Sequence, residues 1–164
     1  MGKRLIDILQ IQIQEFVARY SLISPRIFKL ISELIVNTKL EKIEGWDGYS
    51  WTHLSRELIE RESYSDNEIS EAAHIYMDCF LRVVEGAPWG FVITPKSDGG
   101  CSVSLRSLPG SVNVRKVVED MKIGGGHDRA AGSTFKPLGN EKVDPISSYE
   151  KIKEWMGKNN QPAS

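Results

Sequence analysis

Gly124-Gly125-Gly126-His127 is the stretch of this 164-residue chain whose residue types and spacing could do chemistry. Glycines lack Cβ atoms, so three in a row let the backbone turn sharply and aim successive N–H groups at one point. The pattern predicts a short helix behind them, running through Ala130-Ala131 and ended by Gly132. The unpaired N–H groups and positive dipole end of such a helix would complete a cradle for phosphate. His127, at its start, could reach the same anion. Arg106 falls on the polar side of a strand and offers a planar, two-pronged fork for phosphate oxygens. Ser104 shares that side, and Ser107 closes the strand. By residue type alone the bland readings stand beside this one: a glycine run as a plain turn, Arg106 as a solvated charge, His127 as a helix cap.

Periodicity reveals the elements that must hold these residues. Cys101 to Ser107 alternates as a strand, with Cys101, Val103 and Leu105 on one side and Ser102, Ser104 and Arg106 on the other. Asp98-Gly99-Gly100 turns the chain into it from a buried strand over Trp89–Thr94. A further strand is expected over 46–54, and another over 133–136. Ser65-x-x-Glu68 is a capping box that opens a helix carrying Ile69, Ala72, Ala73, Tyr76, Phe80, Val83 and Val84, with Gly86 to end it. Asn113 caps a helix with Val114, Val117, Val118 and Met121 on one side, and residues 145–156 form a closing helix. Near the start, Leu5, Leu9, Ile13, Phe16, Val17 and Tyr20 recur at helical spacing over 3–20. Ser24-Pro25 opens a second apolar helix to about Lys39. The expected fold is α/β, a central mixed β-sheet flanked by helices and preceded by an N-terminal helical hairpin. It divides into 1–42 (the hairpin), 43–157 (the sheet domain) and 158–164 (a polar tail expected to be disordered).

Composition narrows the function classes. Twenty-one basic against 22 acidic residues leave a net charge of −1, which excludes a histone-like basic clamp. Between Cys101 and Lys136, however, six bases face three acids, whereas Arg56–Glu85 holds eight acids and three bases, so an anion is drawn to the later segment. Cys79 and Cys101 form no CxxC, and with His53, His74 and His127 scattered, a structural zinc site is not expected. Both cysteines are expected to be buried thiols, His53 a packing residue and His74 a surface one. No stretch is apolar for long enough to span a membrane, and the expected setting is a soluble, cytoplasmic one.

The segments Val103-Ser104-Leu105-Arg106-Ser107, Val112-Asn113-Val114 and Gly124-Gly125-Gly126-His127-Asp128-Arg129-Ala130-Ala131-Gly132 resemble, in order and spacing, the DHHA1 domain. This is the C-terminal, substrate-binding domain of DHH-family phosphoesterases, which include RecJ-like exonucleases, nanoRNases and cyclic-dinucleotide phosphodiesterases; the nanoRNase-like branch looks most similar. The resemblance covers roughly 45–136 and implies a phosphate-binding role for Ser104, Arg106, Ser107, Gly124, Gly125, Gly126 and His127, with Arg129 adding charge at the rim. It implies a nucleotide or short single-stranded oligonucleotide as ligand. It also implies a DHH catalytic domain as partner, in cis or in trans, holding manganese for the hydrolysis. This chain shows no Asp-His-His segment, so neither catalytic nor metal-ligating residues are assigned to it. Two alternatives go with this expectation: a subunit of a two-chain manganese-dependent phosphodiesterase, and a non-catalytic assembly domain, with a second copy as candidate partner through 1–42.

Overall fold

The structure, a computed structural model, describes residues 23–163. The expected helix over 3–20 lies outside the described residues. Helix α1 spans Pro25–Val36, with the Ser24 side chain accepting from the Ile27 N–H. Its inward stripe of Ile27, Leu30, Ile31 and Leu34 is buried. It ends three residues earlier than periodicity suggests. Asn37 leaves the helix and donates through its amide to the His53 carbonyl at 3.1 Å, and Lys39–Glu41 then forms strand β1.

Strand β2 is Tyr49–His53, shorter than the expected 46–54. Helix α2, Arg56–Arg61, was not foreseen from periodicity; it is only 6 residues long and is capped by Ser55. Helix α3 spans Asp66–Cys79 and carries the expected capping box between Ser65 and Glu68. It stops well short of Gly86 because the chain turns inward at Leu81. That side chain is fully buried, and its carbonyl accepts the Ser50 hydroxyl at 2.7 Å.

Strands β3 (Trp89–Pro95) and β4 (Cys101–Ser107) form the expected hairpin. Helix α4 is Val114–Asp120, capped by Asn113, and helix α5 is Pro145–Lys158. The main correction lies between them. Gly124–His127 is a strand, β5, and Ala130–Phe135 is its antiparallel partner β6. No helix follows the glycines, so the helix-dipole contribution falls away, and Gly132 is a mid-strand residue rather than a helix terminator. The reason is the pairing of β6 with β4 from Cys101↔Phe135 to Arg106↔Ala130, whose ladder hydrogen bonds hold Ala130–Gly132 extended.

The six strands form one sheet in the order β1-β2-β3-β4-β6-β5, parallel between β2 and β3 and antiparallel elsewhere. One face, with Trp51, Phe91, Val103, Leu105 and Ala131, packs on α4 and α5. The other is covered by α1 and α3, whose apolar stripes meet Val92 and Leu54. Residues 159–162, expected to fray, are instead bonded to the domain. The Trp46 indole donates to the Asn159 carbonyl at 2.9 Å, and the Asn113 N–H to the Pro162 carbonyl at 3.2 Å. Cys101 is buried as expected, whereas Cys79 is half-buried.

Glu68 accepts from the Arg26 guanidinium at 2.6 Å and caps α3, so its carboxyl sits at about 2 against an ordinary 4.5, the Arg26 hydrogen bond being the largest cause. The unfolded chain takes up this proton first, so the stabilisation is complete above about pH 4.5 and is lost as pH falls through about 2. Urea melts at a series of pH values are expected to show the stability gap between wild type and Glu68→Gln narrowing across that window.

In the β5–β6 hairpin, a Cβ at Gly124 would lie 2.0 Å from the Gly132 carbonyl oxygen, whereas one at Gly125 meets nothing within 4 Å. Gly124→Ala is expected to cost about 1–3 kcal/mol by overpacking, and Gly125→Ala to lose no stability, as thermal melts will show.

Candidate functional site

Strand register decides which side chains share a surface. Directly paired residues of neighbouring strands point to the same face. Arg106 pairs with Ala130, and Ala130 with His127, so these three form one row across β4, β6 and β5. Ser104, Gly132 and Gly125 form the next row on the same face. Arg106 and His127 are thus two strand spacings apart, roughly 10 Å. Helices α1 and α3 cover this face over β2 and β3 only. Beyond β4 it is open: Gly125, His127 and Gly132 are exposed, and Ser104, Arg106 and Ala130 half-buried.

The floor of this open half-face is bare backbone at its centre. Gly132 and Gly125 put no side chain on it, and a Cβ at Gly125 would stand in open space. Gly124 and Gly126 serve a different need. Their missing Cβ atoms would point to the opposite side, into the β6 backbone; at Gly126, φ is +146° and the Ala130 carbonyl oxygen would be 2.6 Å away. The glycine run therefore both permits the close β5–β6 pairing and leaves a flat peptide surface with an outer strand edge.

Arg106 is held at the margin of α3. Its Nη1 donates to the neighbouring Leu105 carbonyl at 2.9 Å. Burial draws its guanidinium below the usual value, Asp78 opposes that shift, and Arg82 adds to it. No carboxylate lies within ion-pair distance of it among the described residues. It remains a cation with donors to spare for a ligand.

The remaining expected residues separate from this surface. Ser107 lies on the opposite face, 1 % exposed, because it continues the inward series of Cys101, Val103 and Leu105. Arg129 is not a free rim charge. Its Nη1 donates to the Ser111 and Val112 carbonyls, both at 3.1 Å, and to the Ser107 hydroxyl at 3.4 Å. It fastens the β5–β6 turn to the segment before α4. A cavity of about 420 Å³ beside the turn is lined by Arg115, Gly126, His127, Asp128 and Arg129; Arg106 does not line it. Within it Arg115 is paired with Asp128 at 2.8 Å.

Two members of the open face escaped sequence reasoning. Gly132 was hidden by the expected helix, and Thr134, although inside the expected 133–136 strand, because only the pairing with β4 sets it opposite Ser102. The alternation along β4 already pointed to Ser102. His53 stacks on Trp51 with ring centroids 5.6 Å apart, and burial holds its imidazole below the usual value, with Lys39 adding to the shift. His74 is exposed on α3. Among the described residues no three His, Cys, Asp or Glu side chains are grouped so as to hold a metal ion. No helix among them is long and apolar enough to cross a membrane.

The DHHA1 domain family model matches residues 56–158. It reaches through α5, beyond the segments that carry the resemblance in the sequence. No curated protein matches the chain. Among solved structures, an exopolyphosphatase-related protein from Bacteroides fragilis is similar over 90% of this chain and 39% of its own, at 16% identity and a TM-score of 0.63. CDC45 from Entamoeba histolytica is similar over 80% of this chain and 26% of its own, at 12% identity and a TM-score of 0.50. At these identities the likeness is one of fold. The chain spans under two-fifths of the length of either relative. A family model covering four of the six strands and helices α2 to α5, more than half of the chain, identifies the chain as a member of the DHHA1 family.

Proposed function

We propose that this chain is the substrate-holding part of a DHH-type phosphoesterase. It binds the phosphate of a nucleotide or short single-stranded oligonucleotide on the open half-face of its sheet. Arg106 supplies a charged, forked donor, His127 a second donor from the neighbouring edge strand, and the Gly125–Gly132 floor lets phosphate approach the backbone closely. The observation that carries this reading is the shared row of Arg106, Ala130 and His127 beside the Ser104, Gly132 and Gly125 row. Flat backbone flanked by a guanidinium and an imidazole suits an anion better than an apolar group.

Hydrolysis in this reading belongs to a DHH domain outside the described residues. Among the described residues no three His, Cys, Asp or Glu side chains are grouped, so this reading assigns the manganese ligands to that domain. The chain's own share is to bind and orient.

NMR shift mapping with adenosine 5′-monophosphate is expected to perturb Ser104, Arg106, Gly125 and His127. Arg106→Ala and His127→Ala are each expected to weaken binding by ~1.5–3 kcal/mol, the range for hydrogen bonds to charged groups, or roughly tenfold and more. An unperturbed row at millimolar nucleotide would defeat the reading.

One observation favours the alternative of an assembly domain. Phe28, Ile35 and Val36 form an outward stripe on α1, at 64%, 44% and 80% exposure. If the chain pairs with a second copy through it, sedimentation will show a dimer that Phe28→Glu dissociates while nucleotide binding persists. A monomer at all concentrations removes that alternative.

A further inference from the structure

We infer that the cleft between α3 and the β3–β4 surface is the second half of the ligand site, and that it takes the uncharged nucleoside portion of a ligand whose phosphate rests on the Arg106–His127 row. The inference rests on the phosphate reading and extends it to a part of the molecule that the glycine strand does not reach. The cleft encloses about 290 Å³ and lies on the same face of the sheet. That volume is at the lower end for small-molecule pockets and suits a single ring system with its sugar.

Register again fixes the arrangement. Thr94 pairs with Ser102, Val92 with Ser104 and Gly90 with Arg106, so three rows succeed one another along β4. Successive rows are ~6.8 Å apart, which puts the Thr94–Ser102 row about 14 Å from the Arg106 row. Ser104, in the middle row, lines both the cleft and the glycine floor. The two sites therefore form a continuous surface about one nucleotide long.

The chemistry of the lining selects the kind of group. Thr94, Ser102 and Ser104 present hydroxyls from the floor, while Ser70, His74 and Met77 line the α3 side. Thr94 is 7 % exposed, so its hydroxyl serves only what enters the cleft. The carboxylate and the ammonium that line the cleft are already committed. Asp66 accepts from the Ser97 N–H at 3.0 Å and its hydroxyl at 2.6 Å, and Lys96 pairs with Asp98 at 3.1 Å. No uncompensated cation waits for a second phosphate here. Hydroxyls beside a thioether and an imidazole suit a planar ring with polar edges.

The test compares inorganic phosphate, ribose 5-phosphate, adenosine 5′-monophosphate and adenosine, each titrated into the full chain with NMR detection. The nucleotide is expected to bind about tenfold or more tightly than ribose 5-phosphate and to shift Thr94, Ser102 and His74, which phosphate leaves unmoved. Ser102→Leu, which fills the cleft, is expected to erase that advantage while phosphate binding stays at the wild-type level. His74→Ala, on an exposed helix position, is expected to reduce it in part. Equal affinity for nucleotide and ribose 5-phosphate would overturn the inference, as would a Ser102→Leu effect equal for nucleotide and phosphate. Adenosine separates the two readings. Shifts at Thr94, Ser102 and His74 with adenosine, while no ligand moves Arg106 and His127, sustain the cleft and sink the phosphate row; a cleft unmoved by adenosine and nucleotide alike sinks the cleft alone.

Discussion

Strand β4 cannot slip by a single residue. Its inward positions Cys101, Val103, Leu105 and Ser107 are each at most 1 % exposed. Moving the register by one would carry Leu105 into water and the Arg106 guanidinium into the apolar layer over α4 and α5. Burying that charge without a partner costs several kcal/mol. Once β4 is pinned, its neighbours are pinned through it. Ala131 and Phe135 of β6 face the same core, so Ala130 and Gly132 must face away beside Arg106 and Ser104. The open surface is thus the reverse side of the core, and its composition follows from the packing opposite.

That surface stays accessible because the two helix layers are unequal in placement. A sheet of six strands is about 24 Å across, while two helices packed ~10 Å apart cover only part of it. Helices α1 and α3 sit over β2 and β3, where Thr52 and Ser50 hydroxyls bond back to the Leu34 and Leu81 carbonyls at 2.6 and 2.7 Å. The β4-β6-β5 part of the face is left with hydroxyls, glycines, Arg106 and His127, none of which needs an apolar cover. The flank of α3 becomes one wall of a trough, and the glycine strand its far margin.

Several polar clasps make this frame rigid. The Arg56 guanidinium donates to the carbonyls of Lys96, Gly99, Gly100 and Val143 at 2.8–3.3 Å, tying α2 to the β3–β4 turn and the segment before α5. At the opposite edge, Glu41 accepts from the Tyr149 hydroxyl at 2.5 Å and the Trp51 indole at 3.0 Å. Burial would raise its carboxyl, but these hydrogen bonds together hold it below the usual range. Trp51 stacks on Tyr149 with centroids 3.7 Å apart, joining β2 to α5. Arg129 does the same service for the β5–β6 turn. A charged residue next to a glycine run invites a binding role by its type, yet here the carbonyls it meets make it a fastener.

What was legible in the sequence is what short-range chemistry decides. The alternation along Cys101–Ser107, the caps at Ser24, Ser65 and Asn113, and the turn at Asp98–Gly100 each depend on residues within a few positions. All are present in the folded chain. The order and wording of the β4 and glycine segments also carried the family. The state of Gly124–Gly132 was not legible, because glycine disfavours both elements and alanine favours helix, and pairing with a strand some 25 residues earlier overrides those preferences. The same holds for Ser107 against Ser104, for the commitments of Arg129, and for the cleft along α3. Each is decided by which distant groups lie opposite. Local sequence chose the strands and their sides; tertiary packing chose which half of one side would face solvent, and that choice leaves the proposed binding surface accessible.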